Sequence, residues 1–259
     1  MQHQFIRYTV QNQIAEIALN KASKMNAMDS ALLKELSSIL TDLEHRSDIK
    51  CLIIEGTGGV FSAGGDLNYM AKMDEYEGRE SARWIHWLFE RIEKLPCITL
   101  ALVDGIAFGG GLEMALSCDI CIATDQAQFA LPEMRYGIIP AGGGTVRFME
   151  KTSSSELLYA LTSNKIYTAT EARQSGFIQD IIPKDDLEAF KQRYISKIQS
   201  YSAESMSEIK QHINKLQAKN HSDIRAEWFE HEARLFGKLL EKEGRERINA
   251  FFAQKKKGK

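Results

Sequence analysis

An α/β body followed by an all-helical C-terminal part is the fold this sequence predicts, on three observations. From the N-terminus to about Asp185, short apolar runs alternate with amphipathic helical patterns. Beyond Asp185 only helical periodicity remains. Between Leu95 and Ala123 charge is sparse, but Asp104, Glu113, Asp119 and several glycines divide the stretch. It therefore reads as buried strand, turn, buried helix and buried strand, not as a membrane span.

The elements follow in chain order. The run FIRYTVQNQIAEIALN alternates as two short strands joined by a turn at Gln11–Gln13. In SALLKELSSILTDLEHR, Leu32, Leu33, Leu36, Ile39, Leu40 and Leu43 recur at helical spacing, with Asp29 or Ser30 available as N-cap. KCLIIEG is a buried strand, and a helix is expected over Gly78–Leu95. The strand ITLALVDG, a glycine turn with its helix, and the strand DICIAT come next. The last part predicts four helices, around 185–199, 203–218, 223–240 and 242–254. No linker or fixed-period repeat interrupts the chain, so the expected division is a core over 1–190 and a helical part over 191–259.

Composition excludes several classes. A net charge of −2 argues against a nucleic-acid surface as the main business of the protein. The stretch MQHQFIRYTV lacks the pattern that secretion requires, and a cytoplasmic, membrane-free protein is expected. Cys51, Cys97, Cys118 and Cys121 are too irregular for a disulfide framework. CDIC has redox or zinc spacing, but it is a single pair on what reads as a strand, where residues three apart diverge. The six histidines form no HxxxH or HExxH arrangement, so neither metal nor separate cofactor is expected.

The chemistry concentrates in glycine-rich turns. FSAGGDL follows the strand CLIIEG, and FGGGLE follows ITLALVDG about 45 residues later. A turn that ends a strand and opens a helix leaves backbone N–H groups free to meet a ligand oxygen, and glycine lets that ligand approach. Two such turns are able to converge into an oxyanion hole, although each alone also fits tight helix packing. Neither is a dinucleotide fingerprint, and no glycine is followed by the Lys-Ser or Lys-Thr of a P-loop.

Glu113 stands three residues past Gly110, on the same face of the emerging helix. Glu133 follows Pro132 in QFALPEMRYGIIPAGGGT, among apolar residues and near a third glycine cluster. Two carboxylates in one apolar pocket do not both ionise easily, which splits them into a proton donor and an acceptor. A dipole-stabilised helix acid at Glu113 and a surface acid at Glu133 are the structural alternatives.

NKASKMNAM, GGVFSAGGDL, VDGIAFGGGLEMALSCDI, FALPEMRYGIIPAGGGT and EKEGRERINAFFAQKK together resemble the enoyl-CoA hydratase (crotonase) family, in the family's order over essentially the whole chain. The resemblance implies a spiral of ββα turns with C-terminal helices that cover the site and build homotrimers or homohexamers. It implies an acyl-CoA thioester as substrate, with coenzyme A as part of it, in fatty acid metabolism. By motif, the amides of Gly65 and Gly110 form the oxyanion hole, and Glu113 and Glu133 match the two acids that add water to a trans-2-enoyl thioester. Lys24, Met25, Ala63, Asp66 and Leu67 lie where the family holds coenzyme A. Ala141 departs from the family's Pro-Gly-x-Gly-Gly, placing a methyl beside the amide that helps hold the catalytic water.

The alternatives are an enoyl-CoA isomerase, which generally keeps an acid only at the position of Glu133, and hydratases of branched or carnityl-type thioesters. A non-catalytic or RNA-binding relative is the remaining class. The first helix offers only Lys34 and Arg46 against four acids, which disfavours RNA. Tyr69, Met70 and Met73, directly after the first turn, are candidates for lining the acyl pocket. His86 reads as a packing residue without a partner acid. Seven basic residues between Glu241 and Lys259 offer either a solvated tail or an attraction for coenzyme A phosphates.

Overall fold

The computed structural model describes residues 3–257, except the side chains of 216–224, 256 and 257. Strands β1 (Ile6–Gln11) and β2 (Ile14–Leu19) pair antiparallel through a two-residue turn. Asn12 and Gln13 both take positive φ there, 48° and 68°, which matches the right-handed twist of a hairpin. Helix α1 (Ser30–Glu44) starts where Asp29 accepts from the Leu32 amide, and its six expected apolar residues are all buried. Strand β3 (Cys51–Gly56) runs parallel to β2 and is followed by a single turn, α2 (Leu67–Met70).

Helix α3 (Glu75–Lys94) begins three residues before the expected Gly78. Asp74 and Glu77 form a reciprocal capping box there, satisfying two N-terminal amides at once. Strands β4 (Ile98–Val103) and β5 (Ile106–Phe108), helix α4 (Gly110–Leu116), β6 (Ile120–Thr124) and β7 (Gln128–Ala130) repeat the strand-and-helix unit. Then come α5 (Gly144–Lys151), α6 (Ser154–Ser163), β8 (Tyr167–Thr168), α7 (Ala169–Gln174), β9 (Asp180–Ile182) and α8 (Leu187–Gln199).

The large sheet has the order β1-β2-β3-β4-β6-β9, parallel except for its first pair, and β5-β7-β8 forms a second layer. The first glycine turn follows β3 of the large sheet and is bridged to β5 through Ser62 and Ala107, and the second lies where β5 of the small sheet gives way to α4. The expected boundary at 190/191 falls inside α8, whose Leu187, Phe190, Tyr194, Ile195 and Ile198 pack on the large sheet. CDIC also departs from expectation. The strand starts only at Ile120, so Cys118 and Cys121 do not diverge but join one core, both free.

The helices expected at 203–218 and 223–240 are one, α9 (Ala203–Leu239). No proline or glycine interrupts this stretch before Gly237, so the lapse in apolar periodicity does not end the helix. Buried Lys210 fastens α9 to the body by bonding the Cys97 carbonyl at 2.8 Å and Asp119 at 2.7 Å. Farther along, α9 crosses α3 at two glycines, where a Cβ on Gly78 would lie 3.2 Å from the Gly237 Cα. A π-turn at Leu240–Gly244 redirects the chain into α10 (Arg245–Lys257). Phe236, Leu240 and Ile248 then close over Ile138 and Ala141 of the body. Among the described residues, no helix is long and apolar enough to cross a membrane.

Candidate active site

The first glycine turn is held like a short strand between two neighbours. Met28 N–H donates to Gly64 O at 2.8 Å, and Asp66 N–H donates to Met28 O at 3.0 Å. On the other side Ser62 N–H donates to Ile106 O, and Phe108 N–H to Ser62 O. Buried Asn26 braces the turn, its Nδ2 donating to Thr57 O and Val60 O. These ladders engage the groups around Gly65 but not its own N–H. That nitrogen is close to Gly110, where a Cβ would lie only 3.6 Å from it.

Gly110 is the first residue of α4, so its N–H has no partner within the helix. Gly109, with φ 52° and ψ −125°, supplies the bend between β5 and this helix, and its own N–H is used on Ala130 O. The two turns thus place the Gly65 and Gly110 nitrogens near each other, neither with a backbone partner among the described residues. Met28 and Met70 flank it: a Cβ would meet Met28 Cε at 2.7 Å on Gly110, and Met70 Sδ at 2.9 Å on Gly65.

Glu113 points from α4 into the same pocket and is 3% exposed. Its Oε1 accepts from Gly142 N–H and Gly144 N–H, both at 2.7 Å, which leaves Oε2 toward Gly110. Burial raises this carboxyl, while those amides, then Arg147, then the Ala141 amide pull it back. Glu133 opens a 3-10 turn after β7, and its Oε1 lies against Gly109. Its Oε2 is buried with no hydrogen-bond partner among the described residues. Burial, and next the charge of Glu113, hold it well above the ordinary carboxylate range.

The profile of the family described as Enoyl-CoA hydratase/isomerase matches residues 9–259. The chain belongs to that family. Among curated proteins it is 36% identical over 184 residues to a putative enoyl-CoA hydratase/isomerase, YngF, of Bacillus subtilis, covering 70% of this chain and 71% of that one. It is 31% identical to a 2,3-dehydroadipyl-CoA hydratase of Escherichia coli, covering 80% of each. Among solved structures, an enoyl-CoA hydratase from Bacillus anthracis superposes with TM-score 0.79 at 30% identity, over 89% of this chain and 90% of that one. One from Bacillus halodurans superposes with TM-score 0.86 at 24% identity, over 95% and 100%, which shows the crotonase fold. The protein is an enzyme of the enoyl-CoA hydratase/isomerase family.

In this member of the family, the residues expected around coenzyme A separate into two groups. Lys24 and Met25 are exposed on a 3-10 turn and its left-handed end, and Met25 O accepts from Ala63 N–H at 2.9 Å. These three lie together at the mouth of the first turn. The Asp66 carboxylate instead caps α2 by accepting from Asn68 N–H at 2.9 Å, and Leu67 packs into the C-terminal apolar cluster. Of the acyl-pocket candidates, Met70 lies beside Gly65 of the first glycine turn, Met73 is buried in the C-terminal cluster, and Tyr69 is exposed. Ala141 is buried beside Ile138 in that cluster. Of the basic C-terminus, Arg245 and Arg247 are paired with Glu241 and Glu243, and Lys255 lies 5.8 Å from the Phe251 ring. The Lys256 and Lys257 side chains and Lys259 lie outside the described residues.

Sequence reasoning missed a third buried carboxylate. Glu232 of α9, 4% exposed, accepts from Gly143 N–H at 2.8 Å and from the Thr145 hydroxyl. Burial and then Glu113 push it up to about 8. His86 stacks on Phe229 with ring centroids 4.6 Å apart, and its Nε2 lies 3.3 Å from Glu232 Oε1 without pointing along a hydrogen bond. Burial and then Arg147 push His86 down to about 3, so this contact is not an ion pair at neutrality. The acid beside His86 stands 146 positions away, beyond the reach of any spacing rule. The readable signal was Glu232 itself, set among Phe229, Ala233, Phe236 and Leu240 on the apolar stripe of its helix.

Proposed function

We propose that the protein is an enoyl-CoA hydratase, adding water reversibly to a trans-2-enoyl-CoA thioester. The observation that carries this is the unequal furnishing of two buried carboxyls. Glu113 accepts two amides and sits near Arg147, so it is the group best able to hold a negative charge. Glu133 has a bare oxygen beside that charge, so it retains its proton. A base and an acid are thereby poised in one pocket at neutral pH.

The amides of Gly65 and Gly110 would receive the thioester oxygen. Each such donor typically contributes about 2.7–4 kcal/mol as the enolate forms. The oxygen of water bonds to the β-carbon while one of its protons passes to Glu113, and the π electrons move onto the thioester oxygen. The enolate then takes the proton of Glu133 at the α-carbon. Transfer of one proton from Glu113 to Glu133 resets the pair, and the net addition is H and OH, syn. The proposal calls on no cofactor beyond the coenzyme A of the substrate, with Lys24, Met25, Ala63 and the amide of Ala141 around substrate and water. A homotrimer or homohexamer, with the helical part contributing contacts and cover, is proposed on the family resemblance and is checked by light scattering.

Turnover of crotonyl-CoA, followed by loss of enoyl absorbance, tests the reading. A panel of trans-2-enoyl thioesters from C4 to C12, with 3-methylglutaconyl-CoA and crotonobetainyl-CoA, then defines the acyl group. Conversion of a trans-3-enoyl-CoA without hydration of any 2-enoyl-CoA would establish the isomerase instead.

A further inference from the structure

Consecutive donors of the glycine loop alternate between two carboxylates on different parts of the chain. Gly142 and Gly144 N–H go to Glu113 on α4, while Gly143 N–H and the Thr145 hydroxyl go to Glu232 on α9. The other supports of the loop come from Arg147, whose Nη1 donates to Gly142 O and whose Nε is held by Glu93 at 2.8 Å. The loop is thus suspended between the residue proposed as base and the C-terminal helix.

We propose that Glu232 is a positioning residue for the hydration: it holds Gly143 and Thr145 so that the amides on either side stay on Glu113. It does not reach the substrate. It acts through the loop, and it makes α9 part of the catalytic geometry, because Phe229 and Glu232 meet His86 and the loop from one face of that helix. This inference rests on the hydratase reading, in which a fixed Glu113 orients water. Misplacement of a catalytic group by about 1 Å can cost on the order of 10²-fold in rate.

The test uses the full chain carrying Glu232→Ala, Glu232→Gln or Thr145→Val. Glu232→Ala is expected to lower kcat for crotonyl-CoA by roughly 10- to 100-fold while KM stays within about threefold. Glu232→Gln keeps an oxygen for the Gly143 amide and should restore kcat to within about threefold of the parent. Thr145→Val, which removes one donor at similar volume, should show a smaller loss of the same kind and serves if Glu232→Ala does not fold. Hydrogen exchange of the peptide over 140–147 should quicken in Glu232→Ala and not in Glu232→Gln. Parental kcat in Glu232→Ala, unchanged exchange in the loop, or equal loss in the Ala and Gln variants would overturn the proposal. If the parent protein hydrates no enoyl thioester, the hydratase reading fails, and the exchange experiment still decides whether Glu232 holds the loop.

Discussion

The surroundings of Glu113 and Glu133 differ in furniture more than in depth. Both carboxyls are buried, both face the turn at Gly109–Gly110, and the charge of Glu113 adds to the cost of ionising Glu133. Around Glu113 the chain supplies peptide amides and a guanidinium, whereas around Glu133 it supplies Pro132 and Gly109 and leaves one oxygen bare. The contrast teaches that the placement of amides and one guanidinium can separate two identical side chains into a group that holds a charge and one that keeps its proton, the division the proposed hydration needs. Burial sets the shared penalty, and the donors decide which member is relieved of it.

The largest effect should come from removing either carboxyl. Glu113→Gln keeps an acceptor for Gly142 and Gly144, so the loop should survive while hydration of crotonyl-CoA falls by about 10²–10⁴-fold. Glu133→Gln should lose a similar factor, and exchange of the α-proton with deuterated solvent should fall mainly in that variant. Near-parental turnover in Glu113→Gln would collapse the distinction and favour isomerase chemistry.

Next in size, Gly110→Pro should lower kcat by about 10²–10³-fold. Proline is well accommodated at a first helical position, so the substitution chiefly deletes the N–H. Gly110→Ala retains the donor and meets only the movable Met28 Cε, so a milder loss is expected. Equal losses in the two variants, measured by steady-state kinetics, would remove the amide from the mechanism.

A smaller effect sharpens the comparison through Glu232, which faces His86 from α3, Glu113 from α4, Thr145 and Arg147 from the α5 end of the loop, and Glu133 across the pocket. Its carboxyl stands at about 8 in the folded protein, against about 4.3 for an unfolded glutamate. Between those values the unfolded chain has released a proton that the native state keeps. Stability from this group is therefore complete below the lower value and lost as pH rises through the upper one. Glu232→Gln does not titrate, so its Tm should rise relative to the parent between pH 5 and pH 8, by roughly 2–8 °C. A Tm difference that stays flat with pH would show that Glu232 is ionised throughout.

The smallest effect concerns the basic end. Deleting Lys255–Lys259 should raise KM for acyl-CoA about two- to threefold at low salt, leave kcat nearly unchanged, and lose its effect once the Debye length falls below about 8 Å. An unchanged KM at low salt would leave the tail a solvated end.

Much of the body was legible because its signals are local. Apolar alternation, the cap at Asp29 and glycines at strand ends each act within a few residues, and they indicated α1, the two glycine turns and the helix that carries Glu113. The start of α3 was readable too, since Asp74 and Glu77 spell a capping box. What stayed hidden depends on distant parts of the chain. The bare oxygen of Glu133, the capping use of Asp66 and the alternating grip on the glycine loop follow from how turns meet. No periodicity within one segment encodes such meetings.

The link between Gly143 and Glu232 spans 89 positions of sequence. Contacts of such separation carry a large loop-closure cost and tend to form late in folding. Every glycine turn and both pocket acids precede Glu232 in the chain, so a spiral can assemble before the glycine loop at 142–144 is gripped from outside. In refolding, catalysis would then emerge after the burial of Phe89 and Phe129 in the main core, and the enzyme's own turnover becomes the clock for its last structural event.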